Sequence, residues 1–344
     1  KSLLQEMDAG YEKFLAEYGP SSLLDTIQSR ILCSKALYGI STGNYEFGLP
    51  ALQEILLRCR KGTEMCGFAH RQMSNYAIQI YNLELLDEHI RDGIESAQLC
   101  GDQKTLATLE RYKGLLYLLR GEYPHARQTL QTAIEKADKA YPAGIARNAH
   151  ISYARNYIGE SFRGEARYSE ALAQYKAALL QIQPYGFMTS RPVFYTNLGC
   201  TYLAMGECRA AKESFELGLQ IYSTVRVSLT QSIAAAFMAI FAFAEGNDEY
   251  SISLLQEAEK NASQLQSPKD SAIISLVKAI LRKRCDFIKA TSPLAEYLDQ
   301  PYSYYASKVF LFGKLGVYEK SLLNNLFSSK GEDDMLSKLW QEAY

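Results

Sequence analysis

The feature that most constrains this chain is a spacing of small residues that recurs along it. The spacing is clearest in 195–222, YTNLGCTYLAMGECRAAKESFELGLQIY, where two segments join at Gly206. Apolar residues recur at intervals of three and four around Gly199 in the first segment and around Gly218 in the second, which predicts two amphipathic helices. Two such helices cannot bury both apolar faces alone, so they require neighbours of the same kind.

The same spacing is found in other parts of the chain. From Gly199, steps of seven, twelve, sixteen and nineteen residues reach a turn residue, a small residue, a large residue and a second small residue: Gly206, Ala211, Phe215 and Gly218. Good copies start at Gly114, Gly159 and Ala239, and weaker copies start at Ala36, Ile78, Lys278 and Val309. We therefore predict eight helix pairs, with turns at residues such as Gly43, Leu85, Ala166 and Cys285.

This pattern resembles the tetratricopeptide repeat (TPR), whose small and large residues at these intervals let two helices cross tightly and stack on the next pair. The strings GEYPHARQTL, ARYSEALAQY and GECRAAKESF carry the resemblance. The average step from Ala36 to Val309 is about 39 residues, against about 34 in the standard repeat. Such long repeats resemble the C-terminal sensor domain of bacterial maltose-type transcription activators. The resemblance implies an all-α fold, a right-handed α-solenoid or superhelix of about eight antiparallel helix pairs.

Repeats that contact mainly their neighbours form one continuous array. We therefore expect a single domain over 1–344, with an N-terminal capping helix in 1–20, repeats in 21–328 and a C-terminal capping helix in 329–344. Because the first residue is Lys1 rather than methionine, the sequence leaves open that this chain is a fragment of a larger regulator.

The composition excludes several classes of partner. Apolar residues make up 47% of the chain, charged residues 22%, and the net charge is −1. Such a chain lacks the positive field that attracts nucleic acid or anionic lipid, so we expect neither a direct nucleic-acid partner nor a membrane partner. The longest apolar run, 233–244, is too short to cross a bilayer. Seven cysteines without a CxxC pair indicate free thiols and a reducing, cytoplasmic location.

The sequence contains no pattern that predicts catalysis. Its four histidines, His70, His89, His125 and His150, are not spaced as metal ligands on one helix. We expect His89 and His125 to be surface residues near the turns. Phosphate-binding glycine loops and nucleophile motifs are also missing. We therefore expect no enzymatic activity, no metal and no cofactor.

The candidate binding residues follow from the repeat. In a stacked array the first helix of each pair lines the concave surface, and the residues flanking the small landmark project into it. In the second to fifth pairs these positions are polar or aromatic: Gln72, Asn75, Tyr76, Gln79, Asn82, Arg111, Tyr112, Tyr153, Asn156, Tyr157, Glu160, Arg163, Thr196 and Asn197. Amides can satisfy a peptide backbone, and arginine pairs with a carboxylate or phosphate. We therefore predict that this groove binds a peptide, a protein segment or a small polar effector.

Two structural alternatives stay open at this point. Tyrosines at helical spacing are common as packing residues, and the apolar sixth first helix, with Ile233, Ala236 and Phe237, either extends the groove as a pocket or is covered by a neighbouring turn. TPR domains that bind chaperone tails use a carboxylate clamp, which the corresponding residues, Glu160 among them, do not reproduce. We therefore favour a non-catalytic regulatory module that senses a signal, as part of a transcription regulator; the alternative is a static scaffold that assembles a protein complex.

Overall fold

A computed structural model describes residues 2–185, 190–225, 231–265, 268–287 and 293–298. Within these ranges the chain forms fifteen α-helices and no strand. The helices are α1 (Ser2–Tyr18), α2 (Ser22–Thr42), α3 (Tyr45–Arg58), α4 (Glu64–Gln79), α5 (Leu83–Cys100), α6 (Gln103–Leu119), α7 (Tyr123–Ala140), α8 (Ile145–Gly164), α9 (Tyr168–Ile182), α10 (Arg191–Ala204), α11 (Cys208–Val225), α12 (Gln231–Ala244), α13 (Asp248–Leu265), α14 (Pro268–Phe287) and α15 (Pro293–Leu298).

The architecture is the predicted all-α, TPR-like type, in which consecutive helices pack in pairs; within each unit neighbouring pairs pack on each other, as α3 does on α4 and α11 on α12. The described residues group into two compact units, one in Lys1–Tyr112 and one in Lys113–Tyr344. The single domain over 1–344 stays a prediction, and the proposed capping helix in 329–344 lies outside the described residues. No helix of the described ranges has the length and apolar content needed to cross a membrane.

The first unit is built on close helix contacts at glycine. A Cβ atom on Gly39 of α2 would lie 2.3 Å from the Cα atom of Gly48 in α3, so neither position accommodates a side chain. A Cβ atom on Gly93 of α5 would lie 2.8 Å from Leu109 Cδ1 of α6 and 2.9 Å from His70 Cβ of α4. Three consecutive helices therefore meet at Gly93.

The second unit places the landmark glycines directly against the large residues sixteen positions later. A Cβ atom on Gly159 would lie 2.6 Å from the Tyr175 ring, and one on Gly199 would lie 2.6 Å from the Phe215 ring. Both aromatic rings are fully buried. The small and large positions of these two repeats are thereby confirmed as partners in one helix crossing.

The turn position of the repeat is confirmed in five pairs. The residue seven positions after the landmark has a positive φ, the left-handed conformation that glycine adopts at no steric cost. These residues are Gly43, Gly121, Ala166, Gly206 and Gly246. Left-handed backbone at this point ends the first helix and reverses the chain.

Two of the weaker copies were assigned incorrectly. Helix α4 ends at Gln79 and α5 begins at Leu83, so Leu85 lies inside the second helix, and the left-handed turn residue is Tyr81. The landmark of this pair is therefore the buried Ser74 and not Ile78. Similarly, Cys285 is not a turn residue, because α14 continues to Phe287. The copy that starts at Val309 lies outside the described residues.

The apolar helix α12 is covered by its neighbours. Phe237 stacks on Phe215 of α11 with ring centroids 5.6 Å apart, and α12 also packs against α13 and α14. Ile233, Ala236 and Phe237 belong to the largest apolar cluster of the second unit. The sequence offered a pocket or coverage by a neighbouring turn, and the structure instead covers this helix with other helices.

We expect Ala166→Gly to stabilise the protein by about 1 kcal/mol, because Ala166 has a φ of 58° and an L-residue with a side chain is strained there. The equivalent Gly206, with a φ of 79°, provides the matched control. Gly206→Ala should shift the urea unfolding midpoint in the opposite direction. A destabilising Ala166→Gly substitution would contradict this explanation.

We expect Gly159→Ala to destabilise the second unit by about 2 kcal/mol, because the added methyl group would overlap the Tyr175 ring. Gly218 is the control, since a Cβ atom there would meet its nearest neighbour at an ordinary 3.5 Å. Gly218→Ala should be neutral or stabilising. Chemical denaturation monitored by circular dichroism compares both variants with the wild type.

Candidate functional site

The predicted site residues of α4 mostly serve contacts within the first unit. The Gln79 side chain accepts a hydrogen bond from the Tyr45 hydroxyl at 2.6 Å and donates to the Ile40 carbonyl at 3.1 Å and to Asn75 Oδ1 at 3.4 Å. The Tyr45 and Tyr76 rings meet edge to face at 4.9 Å. Burial, together with repulsion from Tyr76, raises the pKa of Tyr45 to about 12, so its hydroxyl stays protonated. These side chains fasten α4 to α2 and α3.

Asn82 is the N-cap residue of α5 and does not belong to the first helix, α4. Its side-chain oxygen accepts a hydrogen bond from the Leu85 backbone N–H at 3.0 Å, as an N-cap residue of α5 does. The preference of asparagine for this position was a usable signal for the turn that the Ile78 assignment missed. With Ser74 as landmark, the residues equivalent to Arg111 and Tyr112 are Arg71 and Gln72.

Arg71 is a candidate site residue that the sequence analysis missed. Its guanidinium lies 5.4 Å from the centre of the Phe68 ring and is within ion-pair distance of no described carboxylate. Gln72 is buried one position later. In α6, Arg111 is buried and its guanidinium lies 4.8 Å from the centre of the Tyr112 ring. Each of these two first helices therefore carries an arginine next to an aromatic ring.

The second unit brings together amides from two first helices. The Asn197 side-chain amide of α10 donates to Asn156 Oδ1 of α8 at 2.9 Å, and Asn156 is almost completely buried. This bond uses one donor and one acceptor, so each amide keeps its other polar group. Thr196 lies beside Asn197 but donates to the Pro192 carbonyl at 2.9 Å, within its own helix. Asn156 and Asn197 are thus a true pair, and Thr196 is not part of it.

The aromatic and charged candidate residues of α8 precede and follow Asn156 along the helix. The Tyr153 ring meets Phe194 edge to face at 5.6 Å and lies 6.3 Å from Tyr157. Glu160 accepts hydrogen bonds from Arg163 and, at 2.5 Å, from the buried Tyr175 hydroxyl. Burial and the Glu160 charge raise the pKa of Tyr175 well above its usual value. The bond between Tyr175 and Glu160 thereby links α9 to α8.

Further polar contacts, which the sequence analysis did not identify, hold α8 in place. Asn148 donates to the Tyr185 hydroxyl at 2.6 Å and accepts from Gln181 at 2.5 Å. The Arg127 guanidinium of α7 donates to both carboxylate oxygens of Glu165, at 3.0 and 3.1 Å. These bonds join side chains that lie far apart in the sequence. They therefore leave no periodic signal in it. They orient α8, and with it Asn156 and Tyr157.

The described residues show no arrangement typical of metal chemistry. None of their His, Cys, Asp and Glu side chains form a group of three or more that could hold a metal ion. All seven cysteines are free thiols. Burial and the neighbouring Cys66 raise the pKa of Cys59 to about 12, which makes this thiol a poor nucleophile at neutral pH.

Comparison with solved structures shows which fold the chain has. A Rap protein complexed with Competence and Sporulation Factor superposes with a TM-score of 0.63 and 14% sequence identity, over 100% of this chain and 96% of that one. The apo form of RapI superposes with a TM-score of 0.50 and 12% identity, over 99% of this chain and 94% of that one.

A third similar structure belongs to a larger protein. It is a signal transduction ATPase with numerous domains from Pyrococcus horikoshii, which has a tetratricopeptide repeat sensor. The TM-score is 0.52 and the identity 15%, over 90% of this chain but only 47% of that one. At these identities the comparisons show the TPR-like helical repeat fold. No protein-family model and no curated protein sequence matches the chain.

The expectation that His89 lies on the surface is wrong. His89 of α5 is buried, and its Nδ1 atom lies 2.9 Å from His70 Nδ1 of α4. At this distance one Nδ1 atom donates a hydrogen bond and the other accepts it. Only one of the two Nδ1 atoms therefore carries a proton. Burial lowers the pKa of both imidazoles. Around His70, repulsion from His89 and Lys61 lowers the pKa further, and Asp92 and Glu88 oppose the shift.

We expect the free energy of unfolding to decrease as the pH falls from 8 through the ordinary histidine pKa of 6.5. The folded state holds both imidazoles neutral, so below this value the unfolded chain binds more protons and is favoured. Replacing both His70 and His89 with glutamine should remove much of this pH dependence in urea unfolding. His125→Gln is the control, because that side chain is 70% exposed. An identical pH dependence in the double variant would contradict the assignment.

Proposed function

We propose that this chain is a non-catalytic binding module that holds an extended peptide, or a small polar effector, on the first helices of its repeats. The best-supported surface lies in the second unit, on α8 and α10, and comprises Tyr153, Asn156, Tyr157, Glu160, Arg163 and Asn197. The Arg71, Gln72, Arg111 and Tyr112 side chains of the first unit form a separate candidate surface. Both are proposals from side-chain chemistry.

The observation that carries the proposal is the amide pair of Asn156, which is buried, and Asn197, which is partly buried and in reach of a ligand. Placing polar side chains in a helix interface costs free energy unless they are hydrogen-bonded. The repeat does not need them, because the equivalent positions of α12 are Ala236 and Phe237, which pack in a continuous apolar cluster. Amides that retain a donor and an acceptor suit the backbone of a bound peptide, which has one of each per residue.

We also propose that occupancy of this surface is relayed to another domain, as in a signal-responsive regulator. Two similarities support this proposal. A Rap protein of this fold was solved with Competence and Sporulation Factor, and the Pyrococcus horikoshii ATPase carries its repeats as a sensor. The finer kinship with maltose-type activators is part of the same proposal and rests on the long repeat.

One observation favours the alternative of a static scaffold. Gln79, Asn82 and Thr196, which the sequence placed in the groove, are engaged in bonds that fasten or cap helices. If the remaining polar residues act in the same way, partners would bind elsewhere on the protein. The two functions differ in whether these side chains determine ligand affinity.

We expect Asn156→Ala and Asn197→Ala each to weaken peptide binding at least about tenfold, the loss typical of one or two buried hydrogen bonds. A random seven-residue peptide library displayed on phage is selected on the wild-type chain, and fluorescence anisotropy measures the affinity of the selected peptides. Arg111→Ala separately tests the surface of the first unit.

Arg209→Ala is the matched control, because its side chain is 94% exposed and pairs only with Glu213 on the same helix. Thermal melts identify any variant that has lost its fold. Selected peptides that bind all variants with wild-type affinity would contradict the proposed surface and favour the scaffold.

A further inference from the structure

The exposed side of α1 carries large apolar side chains in a single stripe. Leu3, Met7, Phe14 and Tyr18 are 66%, 40%, 55% and 69% exposed. Their spacings of four, seven and four residues place them on one line along the helix. The Phe14 and Tyr18 rings stack on each other at 5.7 Å. The adjoining side of α1, with Tyr11 and Leu15, packs against Leu24 and Ile31 of α2. Helix α1 therefore has a second apolar side that faces solvent in the described part of the chain.

A glycine, Gly10, lies on the flank of this stripe, midway along its length, and no contact within the described chain explains it. A Cβ atom on Gly10 would have no neighbour within 4 Å, whereas every other described glycine inside an α-helix has one. Glycine in a helix interior costs about 1 kcal/mol relative to alanine. Packing within this chain does not explain Gly10. A small residue in an exposed helix face allows the backbone of another helix to approach closely.

The stripe is symmetric about this glycine. Leu3 and Tyr18, and likewise Met7 and Phe14, are equally distant from the midpoint between Gly10 and Tyr11. In an antiparallel pair of α1 helices with a twofold axis at this midpoint, Leu3 faces Tyr18 of the partner subunit and Met7 faces Phe14 of the partner subunit. Twofold interfaces use the same surface on both copies. We propose that α1 is the docking surface for a second copy of this chain.

The charges along the stripe fit the same arrangement. Glu6 and Lys13 are exposed, lie seven residues apart on one flank of α1, and pair with no other described residue. In the antiparallel pair, Lys13 of one copy lies opposite Glu6 of the partner subunit, and the symmetry repeats the contact. Asp8 is already engaged by Lys35 of α2. In a parallel pair of α1 helices, Glu6 would instead lie beside Glu6 of the partner subunit, and Lys13 beside Lys13 of the partner subunit.

The size of the stripe indicates a reversible dimer. Its four side chains expose on the order of 500 Å² of apolar surface, compared with about 800 Å² buried per partner in a standard interface. We therefore expect dissociation constants of about 1 to 100 μM, a range in which both monomer and dimer are measurable.

Sedimentation velocity of the full chain, from about 1 to 300 μM, tests the proposal. We expect a monomer–dimer equilibrium, and Phe14→Glu should raise the dissociation constant about a hundredfold, as loss of an interface anchor does. Leu57→Glu is the matched control, because this leucine of α3 is 87% exposed and outside the stripe. A wild-type chain that is monomeric throughout, for example because another segment or protein normally covers the stripe, would overturn the proposal. A dimer that Phe14→Glu does not weaken would also overturn it.

Two further variants separate docking from folding. Gly10→Leu should raise the dissociation constant at least about tenfold by blocking the crossing, while the melting temperature of the monomer stays equal or increases, because leucine is a better helix former. Lys13→Glu and Glu6→Lys should each weaken self-association about tenfold. A mixture of the two should restore the dimer as a heterodimer, visible by native mass spectrometry. If the mixture stays monomeric, the antiparallel arrangement is wrong.

Discussion

The structure depends on how closely two helices can approach at a small residue. Where Gly159 meets Tyr175, and where Gly199 meets Phe215, the aromatic ring fills the space that a Cβ atom would occupy. Each crossing fixes the separation and angle of one helix pair, and a left-handed residue such as Ala166 or Gly206 brings the chain back. Because the same contact occurs in both pairs, α8 and α10 of the second unit are held against their partner helices in the same way. The candidate site inherits its geometry from these crossings.

The polar side chains of the first helices divide into two groups. Some hold helices together, as Gln79 does between α4 and α2, or cap them, as Asn82 does. Asn156 and Asn197 instead hydrogen-bond to each other, and each side chain has a second polar group that this bond does not use. The apolar equivalents in α12 show that packing alone does not require amides at these positions. This contrast is the basis on which the two asparagines are proposed, and Gln79 and Asn82 are not, as ligand contacts.

The sequence predicted the helices more completely than the contacts that their polar side chains make. Helix α1, Ser2–Tyr18, lies within the predicted 1–20, and the turns at Gly121, Ala166, Gly206 and Gly246 are confirmed, because each rests on local backbone preferences. The register of the second pair failed, since Ser74 replaces the usual glycine or alanine and the turn uses Tyr81. That error moved the candidate positions by four residues and hid Arg71. The burial of His89 against His70, nineteen residues away, left no periodic trace.

The sequence by itself determined that this chain forms paired helices with small residues at their crossings, because periodicity, turn residues and side-chain volume are local properties. It also contained the symmetric stripe of α1, although its meaning depends on exposure. Only the tertiary structure decided which polar side chains bond to one another and which keep free groups. The physical reason is that hydrogen bonds such as Asn197 to Asn156 join residues 41 positions apart, where distance and angle depend on how successive helices pack.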